Sequence, residues 1–194
     1  MTEKIFLINP SDKHLLTNAG DRWPLGVLYL SSFLKNNGYA TRIWDLNHDS
    51  EEEMLTQARN IKYFCIAIAT PIYLHALNLA QKIRQKTQKV IIIAGGNHVT
   101  DMPNEASTLL NFDYVIVGDG EEGLLRILTD QPKTQIIYSK PIQDLDTLPF
   151  PDYEGIKMER YIIKWMVILL HLLLPVEVVY ITVFFAEVLQ AIIR

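Results

Sequence analysis

The chain has 194 residues, which is enough for one ordinary domain and an additional segment. Its formal net charge of -4 argues against the basic surface of a nucleic-acid-binding protein, so no nucleic acid is expected as a partner. The single cysteine, Cys65, excludes a disulfide framework, and its apolar neighbours predict a core residue. The first residues lack a signal-peptide pattern, so the expected location is the cytoplasm.

Strand and helix patterns alternate along the first 130 residues. Short β-branched and aromatic runs predict five strands, at 5–8, 41–44, 64–69, 90–94 and 114–117. Apolar residues at helical spacing predict helices from 25 to Gly38, from 50 to 58, from 74 to 84, from about 101 onwards and through 124–128. This order predicts an α/β domain, residues 1–130, with a doubly wound five-stranded parallel sheet of flavodoxin-like type.

The pattern changes after residue 130. Four prolines interrupt residues 131–161, which predicts a linker leading into another domain. Residues 162–194 are rich in Leu, Ile and Val and predict a hydrophobic helical tail. A membrane-spanning helix needs about 20 apolar residues, and Pro175 and Glu177 interrupt this run, so a span is not favoured.

Two glycine-rich turns follow neighbouring predicted strands. Gly95 and Gly96 come directly after strand 90–94, and Gly118 and Gly120 follow strand 114–117. In open α/β sheets, ligands bind outside the carboxyl ends of the strands, and glycines there let a ligand approach the backbone closely. These turns therefore predict a binding face for a cofactor.

His98, in the turn after strand 90–94, has several possible roles. It could ligate a metal, act as a base, or only cap the following helix. His14, His48 and His75 have no partner at a recognisable metal-ligand spacing, and no metal site is predicted. A Walker-type loop and a G-x-G-x-x-G sequence after the first strand are both missing from the sequence.

An ordered set of short motifs spans residues 3–160. The set consists of Pro24-Leu25-Gly26-Val27-Leu28-Tyr29-Leu30, Asn37-Gly38-Tyr39, Gly95-Gly96-x-His98-Val99-Thr100, Asp113-Tyr114-Val115-Ile116-x-Gly118-x-Gly120-Glu121 and Leu145-Asp146-x-Leu148-Pro149-x-Pro151-Asp152. In this order the motifs resemble the N-terminal cobalamin-binding domain of the cobalamin-dependent radical S-adenosylmethionine enzymes. Asn97 stands where that family usually has proline.

The resemblance implies that the chain binds cobalamin at the strand ends. The D-x-H-x-x-G motif of the cobalamin mutases is missing, which implies that no histidine from that motif serves as a lower axial ligand. The cofactor-binding residues that the resemblance implies are Asn9, Pro10, Thr70, Pro71, Gly95, Gly96, His98, Val99, Gly118, Gly120 and Glu121. No catalytic residue is assigned, because the chain is expected to bind cobalamin without turnover.

The family continues into a radical domain in which a C-x3-C-x2-C motif holds a 4Fe–4S cluster that binds S-adenosylmethionine. This chain has no such cysteines, so it cannot bind the cluster or S-adenosylmethionine. A reading-frame shift would explain the tail as a non-native remnant of that domain. Reading one base back, three junctions permit cysteine codons at the family spacing: Val178/Val179, Thr182/Val183 and Phe185/Ala186.

A second hypothesis comes from a different functional class. In it, the chain is a non-enzymatic flavodoxin-like binding module that residues 162–194 attach to a membrane. The two hypotheses differ in whether the tail contributes to function, and a comparison of the intact chain with a form that ends at Glu159 separates them.

Overall fold

The computed structural model describes residues 4–15, 22–87, 89–108 and 112–161, which form a parallel sheet with helices on both faces. The sheet has six strands in the order β2-β1-β3-β4-β5-β6. Their bounds are β1 Lys4–Asn9, β2 Ala40–Asp45, β3 Tyr63–Ala67, β4 Ile91–Gly95, β5 Tyr114–Val117 and β6 Ile136–Tyr138. From β1 the strand order runs to β2 on one side and to β3 on the other, and open sheets of this type form a crevice at such a switch point.

The helices separate into two layers. Their bounds are α1 Leu25–Asn36, α2 Glu51–Gln57, α3 Tyr73–Lys86, α4 Asn97–Asp101, α5 Pro103–Thr108 and α6 Gly120–Asp130. Side chains from α1 and α6 share one buried cluster with one face of the sheet, and side chains from α2, α3, α4 and α5 share the cluster on the other face. The predicted doubly wound α/β architecture is therefore confirmed.

The predicted number of strands is wrong by one. Ile136, Ile137 and Tyr138 form β6, which pairs in parallel with β5 within the segment that its prolines had marked as a linker. Three residues between Pro132 and Pro141 are too short a run to give a periodic signal. Their pairing is set by the free edge of β5, which is a tertiary feature.

The helix after β4 begins earlier than the sequence pattern indicated. Gly96 has φ +101°, and this left-handed conformation turns the chain directly into α4 at Asn97. His98 and Val99 therefore lie in the first turn of a helix. By contrast, the predicted start of α2 is confirmed, since Ser50 Oγ accepts a hydrogen bond of 3.2 Å from the backbone N–H of Glu53.

The segment 139–157, hereafter the strap, packs along α1. Asp152, whose side chain is 8% exposed, accepts hydrogen bonds from Ser31 Oγ at 2.5 Å and from Lys35 Nζ at 2.6 Å. Ser32 Oγ donates to the carbonyl oxygen of Phe150 at 2.6 Å, within the same region. These contacts fix the strap to the domain although most of it lacks regular secondary structure.

The contact pattern divides the chain into two compact units, residues 1–157 and 158–194. The first contains the whole sheet and the strap. The predicted hydrophobic tail, residues 162–194, lies outside the described residues. Within the described ranges, no helix is long and apolar enough to cross a membrane.

Candidate functional site

A cavity of about 250 Å³ opens at the carboxyl ends of the strands, between the sheet and α1. It lies where the strand order reverses, since it takes Leu7 from β1 and Cys65 from β3. We call it the main cavity. Its lining is apolar or glycine except for two acids, and consists of Leu7, Gly26, Val27, Leu30, Cys65, Ile66, Ala67, Ile93, Gly95, Gly96, Gly118, Asp119, Gly120 and Glu121.

Gly95 and Gly96 are each glycine for a different structural reason. A Cβ added to Gly95 would meet no atom within 4 Å, so this position borders free space in the main cavity. A Cβ added to Gly96 would lie 2.7 Å from the carbonyl oxygen of Ile68, closer than side chains tolerate. Gly95 thus leaves room for a ligand, whereas Gly96 is required by the turn itself.

The turn after β5 brings α6 close to α1. Gly118 has φ +90°, and its backbone N–H donates to Thr100 Oγ1 at 3.1 Å, which ties this turn to the end of α4. A Cβ on Gly120 would lie 3.0 Å from Leu30 Cδ2, so glycine there permits the close approach of the two helices. The turn therefore forms one wall of the main cavity.

Cys65 lines the inner part of the main cavity. It is a free cysteine, 7% exposed, and belongs to the buried cluster with Leu7, Val27 and Ile93. Burial raises the pKa of its thiol far above the usual range, so the reactive thiolate is strongly disfavoured. The predicted core position of Cys65 is confirmed.

Glu121 is a buried acid in the first turn of α6. It is 9% exposed, and burial raises the pKa of its carboxyl group; hydrogen bonds from the backbone N–H groups of Glu121 and Gly120 act in the opposite direction. Asp119, which also lines the cavity, is exposed, and its carboxylate accepts a hydrogen bond of 2.8 Å from the backbone N–H of Ile142 in the strap.

A second cavity, of about 270 Å³, lies beside the first, and we call it the outer cavity. The two share Gly26, Asp119 and Glu121 in their linings. The outer cavity adds Tyr29 from α1 and three apolar residues of the strap, Ile142, Leu145 and Leu148. The strap therefore extends the binding space beyond the strand ends.

His98 does not line either cavity. It is 5% exposed; its Nδ1 lies 3.3 Å from Thr70 Oγ1, and its ring packs on Tyr73 with centroids 4.0 Å apart. Its Nε2 is buried and has no hydrogen-bond partner in the described part of the chain. Across the described residues, no group of His, Cys, Asp or Glu side chains is arranged to hold a metal ion.

Asn9 ends β1 at the same edge of the sheet but takes part in a different network. Its Nδ2 donates to Asp45 Oδ1 at 2.9 Å, and the same oxygen accepts from the backbone N–H of Asn47 at 3.1 Å. Asn47 Oδ1 in turn accepts from Ser11 Oγ at 3.1 Å. This network orders the chain after β1.

The structure places all eleven predicted site residues at the carboxyl end of the sheet and brings five of them together around the main cavity. Those five are Gly95, Gly96, Gly118, Gly120 and Glu121. The six that do not line it are Asn9, Pro10, Thr70, Pro71, His98 and Val99. Their role in binding stays a prediction.

Sequence reasoning missed the wall contributed by α1 and the strap. Gly26 gave only a weak signal, because it is the second residue of α1, and the glycine penalty of about 1 kcal/mol relative to alanine applies to helix interiors. A Cβ there would meet nothing within 4 Å, which makes Gly26 a second position bordering open space. The strap residues gave no comparable signal, since they are apolar residues scattered among prolines.

Comparison with known proteins gives one family match. The model of the B12 binding domain matches residues 14–128, which is more than half of the chain. No curated protein matches the sequence. Among solved structures, the chain is similar to the N-terminal domain of a hypothetical protein from Thermotoga maritima, with 21% identity and a TM-score of 0.45 over 57% of this chain and 87% of that one. It is also similar to a diflavin flavoprotein A3 from Nostoc sp., with 10% identity and a TM-score of 0.39 over 58% of this chain and 72% of that one.

Proposed function

Because the chain belongs to the B12-binding domain family, we propose that it holds cobalamin over the carboxyl ends of its strands, with the nucleotide tail in the main cavity. The observation that carries this proposal is the apolar cavity between α1 and the sheet. Two of its lining glycines, Gly26 and Gly95, have free space where a side chain would otherwise project.

The size of the main cavity supports a placement in which only the nucleotide tail of cobalamin is enclosed. Pockets that enclose a whole drug-sized ligand measure roughly 300–1,000 Å³, and cobalamin is larger than such ligands. At about 250 Å³, the main cavity has room for a flat heterocycle but not for the corrin ring. The heterocycle of the tail would enter between Gly26 and Gly95, and the corrin would lie over the glycine turns outside.

The residues present would act by shape and exclusion of water. Val27, Leu30 and Ile93 would pack against the faces of the heterocycle, and apolar burial of this kind contributes about 25 cal/mol per Å². No D-x-H-x-x-G motif offers a histidine below the corrin. When bound, cobalamin would supply the capacity to carry a methyl group.

The parent enzyme that we propose is a cobalamin-dependent radical S-adenosylmethionine enzyme of methyltransferase type. The motif set between residues 3 and 160 supports this assignment, including the strap sequence Leu145–Asp152. These 194 residues contain one cysteine, too few for the three-cysteine motif that holds a 4Fe–4S cluster, so we propose that they bind cobalamin and do not themselves hold the cluster.

The nucleotide sequence of codons 160–194 tests the proposed frame shift directly. The shifted frame encodes the three cysteines only if the codons of Val178, Thr182 and Phe185 all end in T. Any other base at one of these positions removes the C-x3-C-x2-C motif and rejects the frame-shift explanation.

Cobalamin binding is tested by mixing the purified chain with hydroxocobalamin and desalting. We expect the protein fraction to keep the cofactor's colour at close to one equivalent. Gly95→Leu should abolish this retention without lowering the melting temperature, because its side chain would occupy the main cavity. The matched control is Thr56→Leu, which adds the same side chain at an exposed position on α2. A colourless protein fraction from the unsubstituted chain would reject the proposal.

A further inference from the structure

We propose that Glu121 makes the main cavity selective for cobamides whose lower base is a nitrogen heterocycle, such as a benzimidazole or purine, over those with a phenolic base. This inference rests on the proposed function, because it requires the nucleotide tail to enter the main cavity. It assigns a specificity-determining role to one side chain of this chain.

Glu121 is placed to contact a group in either cavity. It lines both the main and the outer cavity, and so borders the space in either of them. The other lining side chains of the main cavity are apolar except Asp119, which is exposed to solvent. Glu121 is therefore the one largely buried acid in an otherwise apolar lining.

Nitrogen-containing and phenolic lower bases differ in whether they can accept a hydrogen bond through a ring nitrogen. When the base is not bound to cobalt, its ring nitrogen carries a free lone pair, which needs a hydrogen-bond donor once it is buried. A protonated carboxyl group is such a donor. Burial raises the pKa of Glu121, which favours that protonated form. A phenolic base has no ring nitrogen and gains nothing from this partner.

The test compares three corrinoids: cobalamin, p-cresolyl cobamide and cobinamide, which lacks the nucleotide tail. Equilibrium binding to the unsubstituted chain should favour cobalamin over p-cresolyl cobamide. Glu121→Leu should weaken cobalamin binding about three- to tenfold, the value of one hydrogen bond, and leave the other two corrinoids unchanged. Glu121→Gln should keep most of the preference, because its amide can still donate.

Glu122→Leu is the matched control, since it makes the same glutamate-to-leucine replacement in the same helical turn at an exposed position. It should change none of the three affinities. Equal losses for all three corrinoids in Glu121→Leu, or no preference in the unsubstituted chain, would overturn the role of Glu121. Failure of the unsubstituted chain to bind any of the corrinoids would instead reject the proposed function itself.

Discussion

The two faces of the sheet are packed differently at their centre. Under α2 and α3 the core is aromatic: the Phe6 ring packs against Trp44 and Phe64, with centroids 5.6 Å and 5.5 Å apart. Under α1, the corresponding space near the strand ends is bounded by aliphatic side chains and glycines and remains open as the main cavity. Both faces carry a buried core, and only the α1 face also leaves room for a ligand near the strand ends.

The largest expected effect comes from the aromatic face. Phe6→Ala should lower the free energy of unfolding by about 3–5 kcal/mol, because it removes a fully buried ring from a dense cluster. Chemical denaturation measures this loss. The molecules that remain folded should still bind cobalamin with unchanged affinity. A loss of affinity in the folded fraction would show that the two faces are not independent.

Gly95 and Gly96 allow the two roles of glycine, leaving space for a ligand and forming the turn, to be tested at neighbouring positions. Gly96→Val should lower the free energy of unfolding by about 2–4 kcal/mol, because it combines a positive φ with a clash against the backbone of Ile68. Gly95→Val should change stability by less than about 0.5 kcal/mol, because a side chain there meets open space. Thermal melts of both variants decide the point, and equal losses would contradict the assignment of Gly95 to the cavity.

The contacts of the strap should contribute a smaller free energy of unfolding than the aromatic core or the Gly96 turn. Asp152→Ala removes the acceptor for Ser31 and Lys35, and we expect it to cost about 1–2 kcal/mol, discounted for the partial exposure of Lys35. Limited proteolysis should then cut within 139–157 faster than in the unsubstituted chain. Lys35→Met is the control, since it keeps the Ser31 hydrogen bond and should have the weaker effect.

Cys65 gives the smallest effect on stability and the most direct report on the cavity. Alkylation of the native thiol should be slow and should slow further with cobalamin bound, because the thiol is buried at the cavity lining. The unfolded chain ionises this thiol at a pKa of about 8.5, whereas the folded chain keeps it protonated. Folding stability should therefore fall as pH rises above that value, and Cys65→Ala should lack this contribution.

Sequence patterns predicted the elements that carry their own periodic signal. Strands β1 to β5 and helix α1 are long enough to show their buried residues in order, and Ser50 marked the start of α2. The three-residue β6 was missed because its pairing depends on the edge of β5. Sheet order and cavity depth are likewise set by how distant segments pack.

The candidate site was predictable only in part for the same reason. The glycine turns after β4 and β5 could be assigned to one edge of the sheet, because parallel strands share their carboxyl ends. The contributions of α1 and of Leu145 and Leu148 in the strap depend on tertiary packing that leaves no local pattern. The burial of His98 away from both cavities also depends on its packing against Tyr73 and is not visible in sequence.

The attachment of the strap has a consequence for the order in which the domain assembles. Ser31 and Asp152 are separated by 121 positions, so their hydrogen bond closes a very long loop. Contacts of such sequence separation carry a large entropic cost before they form, and we expect them to be made after the local strand and helix pairs. A chain leaving the ribosome would therefore have made α1 and its first strands before Asp152 is synthesised, so this part of the domain would at first lack the cover of the strap.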